Sequence, residues 1–304
     1  MVSQTAAFSI PRLILGTWAL GGGNDWGPTS EQDALDTLAA ALDAGVQMLD
    51  TSPVYGAGEA ERLIGTALQG RRSRVLLASK CGISLAGGRP DHDLRPQSIM
   101  AECEASLQRM QTDYIDLYQI HWPDPKVNLQ DSLGALLRLK EQGKIREIGV
   151  CNFAPQQVIE ALKTAPLASV QNPFSLLNRG QEELRALCMQ HKLPFLAYGV
   201  LGGGILSGKY KQAPNFRRCD ARRYFYPYYF GDGFAAAVAV AARVKKLAAQ
   251  KGVCPSALAI SWALYQPGIS GVLFGARTPA QVKENIQASA ICLNQEEINF
   301  LAHD

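Results

Sequence analysis

The feature that most constrains this chain is a rhythm, in which short apolar runs alternate with helix-patterned segments along almost its whole length. LILG (13–16) is the first apolar run. PTSEQDALDTLAAALDAG follows, with Ser30 as N-cap, Asp33 three residues on, Leu35, Leu38 and Leu42 on one helical face, and Gly45 as the stop. VQMLDT is then short and apolar, as a strand buried on both faces should be. GEAERLIGTAL reads as a helix and RVLLASK as a strand; RPQSIMAECEASLQRM sets Ile99, Cys103, Leu107 and Met110 on one side of the next helix. DYIDLYQIH, EIGVCN, SVQNPFS and PFLAYGV read as strands, interleaved with the helical LQDSLGALLRLKEQG, APQQVIEALK and EELRALCMQHK. The last pair is the helical segment from Phe234 to Lys251 with GVLFGA, after which TPAQVKENIQ is helical again.

Eight strands, each followed by a helix, predict an α/β fold of the (β/α)8 TIM-barrel type, one domain over 1–304. In that architecture the site is built from loops at the carboxyl ends of the strands. A doubly wound sheet would carry GxGxxG after an early strand. GAGEAE (56–61) fails that pattern at its last position. The rhythm breaks near 211–233, KQAPNFRRCDARRYFYPYYFGDG, a length of loop that is usually a functional lid or disordered.

Composition narrows the classes. With 47% hydrophobic and 19% charged residues, the chain has the profile of a soluble protein with a sizeable core. A net charge of +3 argues against nucleic acid or an acidic membrane as partner, and no apolar run reaches transmembrane length. The first twenty residues lack a basic stretch before an apolar block, which predicts no signal peptide. Seven scattered cysteines without a CxxC pair fit free thiols in a reducing cytoplasm, and four histidines without HxxxH spacing predict no metal site.

Four polar residues stand where buried runs stop. Asp50 ends the second strand, Lys80 the third and His121 the fourth, and the loop after Asp50 carries Tyr55. An unpaired buried carboxylate is expensive, so Asp50 calls for a cation, and Lys80 is on the neighbouring strand. Such a quartet supports proton transfer to or from a carbonyl or alcohol oxygen. A phenol titrates near pH ~10, and the expectation is that Lys80 lowers this for Tyr55 while His121 shares the proton or holds the substrate oxygen. Taken singly each residue has a plainer reading as a turn, a packed ring, a solvated lysine or a core histidine. Their coincidence on successive strands favours the chemical one.

At this point the sequence resembles the aldo-keto reductases. DTSPVYGAGEAERLIG is similar to the family segment DTAxxYGxxExxxG, LLASKCG to its strand-end lysine, IDLYQIHWPD to LDLYxxHxPD and EIGVCNF to IGVSNF. GVLGGGILSGKY and FGARTPAQVKENI resemble the later cofactor-binding blocks. The resemblance implies reversible reduction of aldehydes or ketones with NADPH/NADP+, NADH being the alternative donor. Tyr55 would be the acid, with Lys80 and His121 assisting and Asp50 paired to Lys80. Asn152 and Gln171 match positions that hold the carboxamide. Tyr198 matches the aromatic residue against the nicotinamide, and Thr17 and Trp18 join the cofactor set. Gly199 to Leu206, Leu201 and Gly203 among them, would follow the pyrophosphate. Gly275, Arg277, Gln281, Glu284 and Asn285 match the segment gripping the adenosine end, as in a bacterial branch with a GAR motif, where Arg277 faces the 2′-phosphate. Trp18, Trp26 and Trp122 would line the substrate pocket.

The chain departs from the pattern in places. Cys151 replaces a serine, and the segment MVSQTAAFSIPR is short for the hairpin plug across the barrel bottom. GGILSGKY fits a phosphate-loop spacing until Tyr210 stands where a magnesium-binding hydroxyl is needed, which disfavours nucleotide hydrolysis. RRYFYPYYF (222–230) reads either as a flap over the site or as a loop packing its own tyrosines. The rival to an active enzyme is a cofactor-binding sensor on the same barrel, and a monomer or weak oligomer is expected.

Overall fold

Period-two alternation decides which way each short strand faces, and the structure shows what that alternation builds. The structure, a computed structural model, describes residues 9–85 and 90–303. Among these, eight parallel strands close a barrel: β1 (Leu13–Gly16), β2 (Met48–Asp50), β3 (Leu76–Cys81), β4 (Ile115–Ile120), β5 (Ile145–Cys151), β6 (Ser169–Pro173), β7 (Phe195–Tyr198) and β8 (Ile269–Gly275). Each strand pairs with its neighbours in sequence, and β8 closes on β1 with Gly275 opposite Gly16. The expected TIM barrel is therefore the fold.

Helices α1 (Glu31–Asp43), α2 (Glu59–Ala67), α3 (Pro96–Met110), α4 (Leu129–Glu141), α5 (Pro155–Leu162) and α6 (Glu182–Gln190) connect successive strands from β1 to β7. In α1 the Ser30 hydroxyl accepts from the Asp33 N–H at 3.0 Å, as the capping pattern predicts. Its buried face differs from the expected leucine stripe: Ala34, Thr37, Leu38 and Ala41 are buried, while Leu35 and Leu42 are only half-covered.

One helix per strand holds as far as α6 and fails at the seventh unit. Two helices, α7 (Asp232–Lys251) and α8 (Pro255–Leu264), lie between β7 and β8, and α9 (Pro279–Asn285) and α10 (Gln295–Ala302) follow. Every residue of α8 from Ser256 to Leu264 is buried, so SALAISWAL has no polar face to reveal its period. A two-stranded ribbon, Ile83–Ser84 with Asp91–His92, also follows β3 without a sequence signal. The expectation of a reduced N-terminal plug falls mainly on residues 1–8, which lie outside the described residues.

Two apolar layers hold the barrel. Leu15, Leu49, Leu77, Tyr118 and Val150 point outward and pack under the helices. Ile14, Met48, Ala78, Leu117, Leu196 and Leu273 fill the interior. Two residues further along these strands, the same inward-facing set becomes Gly16, Asp50, Lys80, Gln119, Tyr198 and Gly275. The interior thus changes from apolar to polar within one step of the pleat, at the carboxyl ends.

Leu196→Ala should cost about 2–5 kcal/mol in urea unfolding, because it opens a void in the small inner layer. A loss below about 1 kcal/mol would show that this layer collapses around the gap.

Candidate active site

Lys80 and Asp50 are 1% and 2% exposed, and they are paired. Lys80 Nζ donates to Asp50 Oδ1 at 2.5 Å, to the Thr51 carbonyl at 2.9 Å and to Tyr55 Oη at 3.3 Å. Asp50 Oδ2 accepts from Gln171 Nε2 at 3.0 Å and from Gln119 Nε2 at 3.4 Å. Burial works to lower the Lys80 pKa, yet the charge of Asp50 and the proximity of Tyr55 leave it above the ordinary lysine value. The ammonium is therefore retained despite its burial.

Tyr55 reaches this pair on a tight turn whose N–H bonds the Ser52 carbonyl at 3.1 Å. The next residue must be glycine: Gly56 has φ +60°, and a Cβ there would lie 2.1 Å from the Gly21 carbonyl oxygen. That close approach presses the loops after β1 and β2 together, and Trp18 stacks on Tyr55 with centroids 5.6 Å apart. Burial pushes the Tyr55 pKa up to about 12, and Lys80 pulls it down without reversing the shift. The expected net lowering of this pKa is thus overturned, because loss of water outweighs the neighbouring charge.

His121 follows β4 with its ring nearly perpendicular to Tyr55, centroids 6.1 Å apart. Its Nδ1 lies 3.3 Å from Ser52 Oγ. Burial, then the charge of Lys80 and the proximity of His92, holds its pKa well below the ordinary value, so the ring is neutral. Asp50, Lys80, Tyr55 and His121 form one contiguous group. No cluster of three or more metal-ligating side chains occurs among the described residues.

The residues expected around a cofactor divide into engaged and open. Thr17 is fully buried, and both its hydroxyl and its N–H donate to the Asp50 carbonyl, at 3.0 and 2.9 Å, so it ties β1 to β2. Asn152, at φ +61°, donates to the His121 carbonyl at 2.9 Å and accepts from Tyr198 Oη at 2.7 Å. Gln171 has given its amide nitrogen to Asp50. Cys151 is buried with its thiol 3.5 Å from Gln119 Oε1. After β7, Gly199, Gly202, Gly203 and Gly204 all have positive φ, and half-buried Leu201 lies among them. Tyr226 covers this run: Cβ atoms at Gly199 and Gly203 would stand 3.8 and 3.0 Å from its side chain.

At the other end of the groove, Arg277 was expected to face a phosphate. Its guanidinium instead donates to the carbonyls of Trp26 and Pro28 at 3.2 and 2.6 Å and to Thr29 Oγ1 at 3.0 Å. Gln281 accepts from the Arg277 N–H at 2.8 Å, Glu284 is exposed on α9, and Gly275 is open. Asn285 donates to the Gly275 carbonyl at 3.1 Å, while its Oδ1 is buried without a partner.

Trp18 is the hub of an aromatic wall. Its indole N–H donates to Asp25 Oδ2 at 3.1 Å, and its ring meets the rings of Trp26 and Phe225 edge-on at 5.5 and 5.2 Å. Trp122 is half-buried beside His121 and stands outside this ring cluster. The 211–233 segment makes aromatic contacts of two kinds. Its Phe225 leans on Trp18, whereas its Phe216, Tyr226, Tyr228 and Tyr229 pack on one another and on Tyr210, just before the segment. It is not all loop, since Arg222–Phe225 forms a helical turn and α7 begins at Asp232. Sequence reading missed Ser52, Gln119, Asp25 and Phe225. Gln119 was accessible to it, because it sits two residues after inward-facing Leu117.

Lys80→Met should destabilise the protein by about 3–5 kcal/mol, since it strands a buried carboxylate among two amides. The double variant with Asp50→Leu should recover part of this in urea unfolding; no recovery would mean that the pair is not coupled.

A family model described as Aldo/keto reductase family matches residues 12–303. The aldo-keto reductase YhdN of Bacillus subtilis (strain 168) is 37% identical over 290 residues, covering 94% of this chain and 87% of that protein. The NADH-specific methylglyoxal reductase of Escherichia coli (strain K12) is 31% identical, with 98% and 95% covered. Among solved structures, the glycerol dehydrogenase AKR11B4 from Gluconobacter oxydans matches with a TM-score of 0.88 at 35% identity, over 97% of this chain and 91% of that one. With its barrel and nearly its whole length matched, this chain belongs to the aldo-keto reductase family, oxidoreductases of carbonyl and alcohol groups that use nicotinamide cofactors.

Proposed function

We propose that this chain interconverts small aldehydes or ketones and their alcohols, with Tyr55 as the proton donor in the reducing direction. The observation that carries the reading is the Tyr55 hydroxyl 3.3 Å from an ammonium that is itself clamped to a buried carboxylate. With its pKa up to about 12, Tyr55 keeps its proton at neutral pH and has it ready for a substrate oxygen. As that proton leaves, the developing phenolate meets Lys80, which Asp50 holds in place, so no reorganisation is needed at that moment. Neutral His121 positions the substrate oxygen by hydrogen bonding, and in the oxidising direction the phenolate takes the proton back.

A nicotinamide dinucleotide, when bound, supplies or accepts the hydride at the carbonyl carbon. Two features fit such a ligand: the glycine-rich run from Gly199 to Gly204, four of whose six residues carry no side chain, with Lys209 Nζ 3.3 Å from where a Gly204 Cβ would stand, and the unsatisfied Oδ1 of Asn285. Asn152, Gln171 and Tyr198 would hold the carboxamide end. Gly199, Leu201 and Gly203 would lie along the phosphates, and Gly275, Arg277, Gln281, Glu284 and Asn285 along the adenosine. The fit requires Tyr226 to yield space over the glycines. NADPH is the preferred donor on this reading, through Arg277, although one relative is named as NADH-specific. Trp18, Trp26 and Phe225 would form an aromatic wall beside Tyr55, and Trp122, next to His121 and outside that cluster, would line the pocket from the other side of the quartet. The relatives named for methylglyoxal and glycerol support a three-carbon oxo or hydroxy compound as the substrate size.

Tyr55→Phe should lower kcat for methylglyoxal or glyceraldehyde by at least about 100-fold while leaving NADPH binding intact. Full activity would remove Tyr55 from the acid role; cofactor binding without turnover by the unaltered chain would favour the sensor reading. Arg277→Ala should raise the KM for NADPH by about tenfold and spare NADH. An equal change for both cofactors would show that Arg277 only closes the loop at 26–29.

A further inference from the structure

The proposed mechanism requires that the substrate side of His121 present a proton. A neutral imidazole carries one N–H, and whether it sits on Nδ1 or Nε2 is set by what the other nitrogen meets. Ser52 is the group that meets it. It lies two residues beyond Asp50, is fully buried, and places its Oγ 3.3 Å from His121 Nδ1. The structure gives Ser52 Oγ no other partner among the described residues, and His121 Nε2 has none.

Two arrangements are open to this pair, and they are unequal. If Nδ1 bore the proton it would donate to Ser52 Oγ, and the serine's own proton would be left without an acceptor inside the protein. A buried donor left unpaired costs about 1–3 kcal/mol. If the serine donates to Nδ1 instead, the buried hydroxyl proton has its acceptor, and the imidazole proton is placed on Nε2, which has no partner in the protein but is not sealed from solvent, so that water or a substrate oxygen can accept it. The backbone that carries the ring is anchored on both sides, since the His121 N–H donates to the Cys81 carbonyl at 2.9 Å and its carbonyl accepts from Asn152.

We infer that Ser52 is a positioning residue that fixes His121 as the Nε2–H tautomer, making the histidine a hydrogen-bond donor to the substrate oxygen. The consequence for catalysis rests on the function proposed above; the tautomer itself does not. Long-range proton–nitrogen correlation spectra of the full chain carrying nitrogen-labelled histidine test it directly, with His121→Gln identifying the signal among the four histidines. The expected result is a pyridine-like Nδ1 and a pyrrole-like Nε2 through the neutral range. In Ser52→Ala both shifts should move toward tautomeric averages, and kcat for methylglyoxal should fall by about fivefold at nearly unchanged KM. Ser52→Thr, which keeps the hydroxyl, should restore the unaltered chain's spectrum. A pyrrole-like Nδ1 in the unaltered chain, or an unchanged spectrum in Ser52→Ala, would overturn the assignment. The expected tautomer together with full activity of His121→Gln would uphold it while removing His121 from the reaction.

Discussion

The buried ion pair of Asp50 and Lys80 is the interaction on which the rest of the site depends. Neither charge has water to fall back on, so each survives only through its partners. Lys80 has three acceptors, and the Asp50 carboxylate takes donors from three strands, β3, β4 and β6. The Asp50 carbonyl meanwhile binds Thr17 at the end of β1. One residue thus joins five strands of the barrel at its mouth, which couples the position of the ammonium to barrel closure. Replacing the pair with apolar groups would preserve packing and remove the reason for Tyr55 to be there.

This arrangement shows how a barrel separates stability from chemistry. The inner layer of Ile14, Met48, Ala78, Leu117, Leu196 and Leu273 resembles any protein core. One pleat later the same strands carry Asp50, Lys80, Gln119 and Tyr198, which are costly to bury and bonded among themselves and to Gln171, Asn152 and Tyr55. The transition is abrupt because side chains on a strand alternate faces, and nothing intermediate is available. Fully satisfied, such a polar layer is rigid, which suits a site that must hold a phenol, an ammonium and an imidazole in fixed relation.

The barrel and the quartet were legible in the sequence because both rest on local rules. Apolar runs of strand length, caps such as Ser30 and the polar residues at strand ends each signal themselves within a few positions. What was hidden depends on contacts between distant segments. SALAISWAL shows no period because it is buried all round. The bonds of Thr17 to the end of β2 and of Arg277 to the loop at 26–29 are invisible without the fold, since a sequence does not show which distant group a side chain meets. The sign of the Tyr55 shift was misread because a sequence shows the nearby charge and not the loss of water. Ser52 went unnoticed for the same reason: a serine after Asp-Thr looks like a turn until His121 is placed beside it.

Arg277 carries one more implication. It grips the loop at Trp26, Pro28 and Thr29, next to the seam where β8 hydrogen-bonds to β1. Those partners are about 250 residues apart, so during synthesis the first strand emerges long before the segment that completes it. A nascent chain ending before β8 presents β1 and β7 as open, apolar edges, the kind of surface on which chains pair with one another. The barrel's last strand and its arginine therefore act as a latch in time as well as in space. The mouth of the site takes its final shape only when the closing strand arrives, so a truncated chain would carry all of Asp50, Tyr55, Lys80 and His121 and still lack the enclosure in which they work.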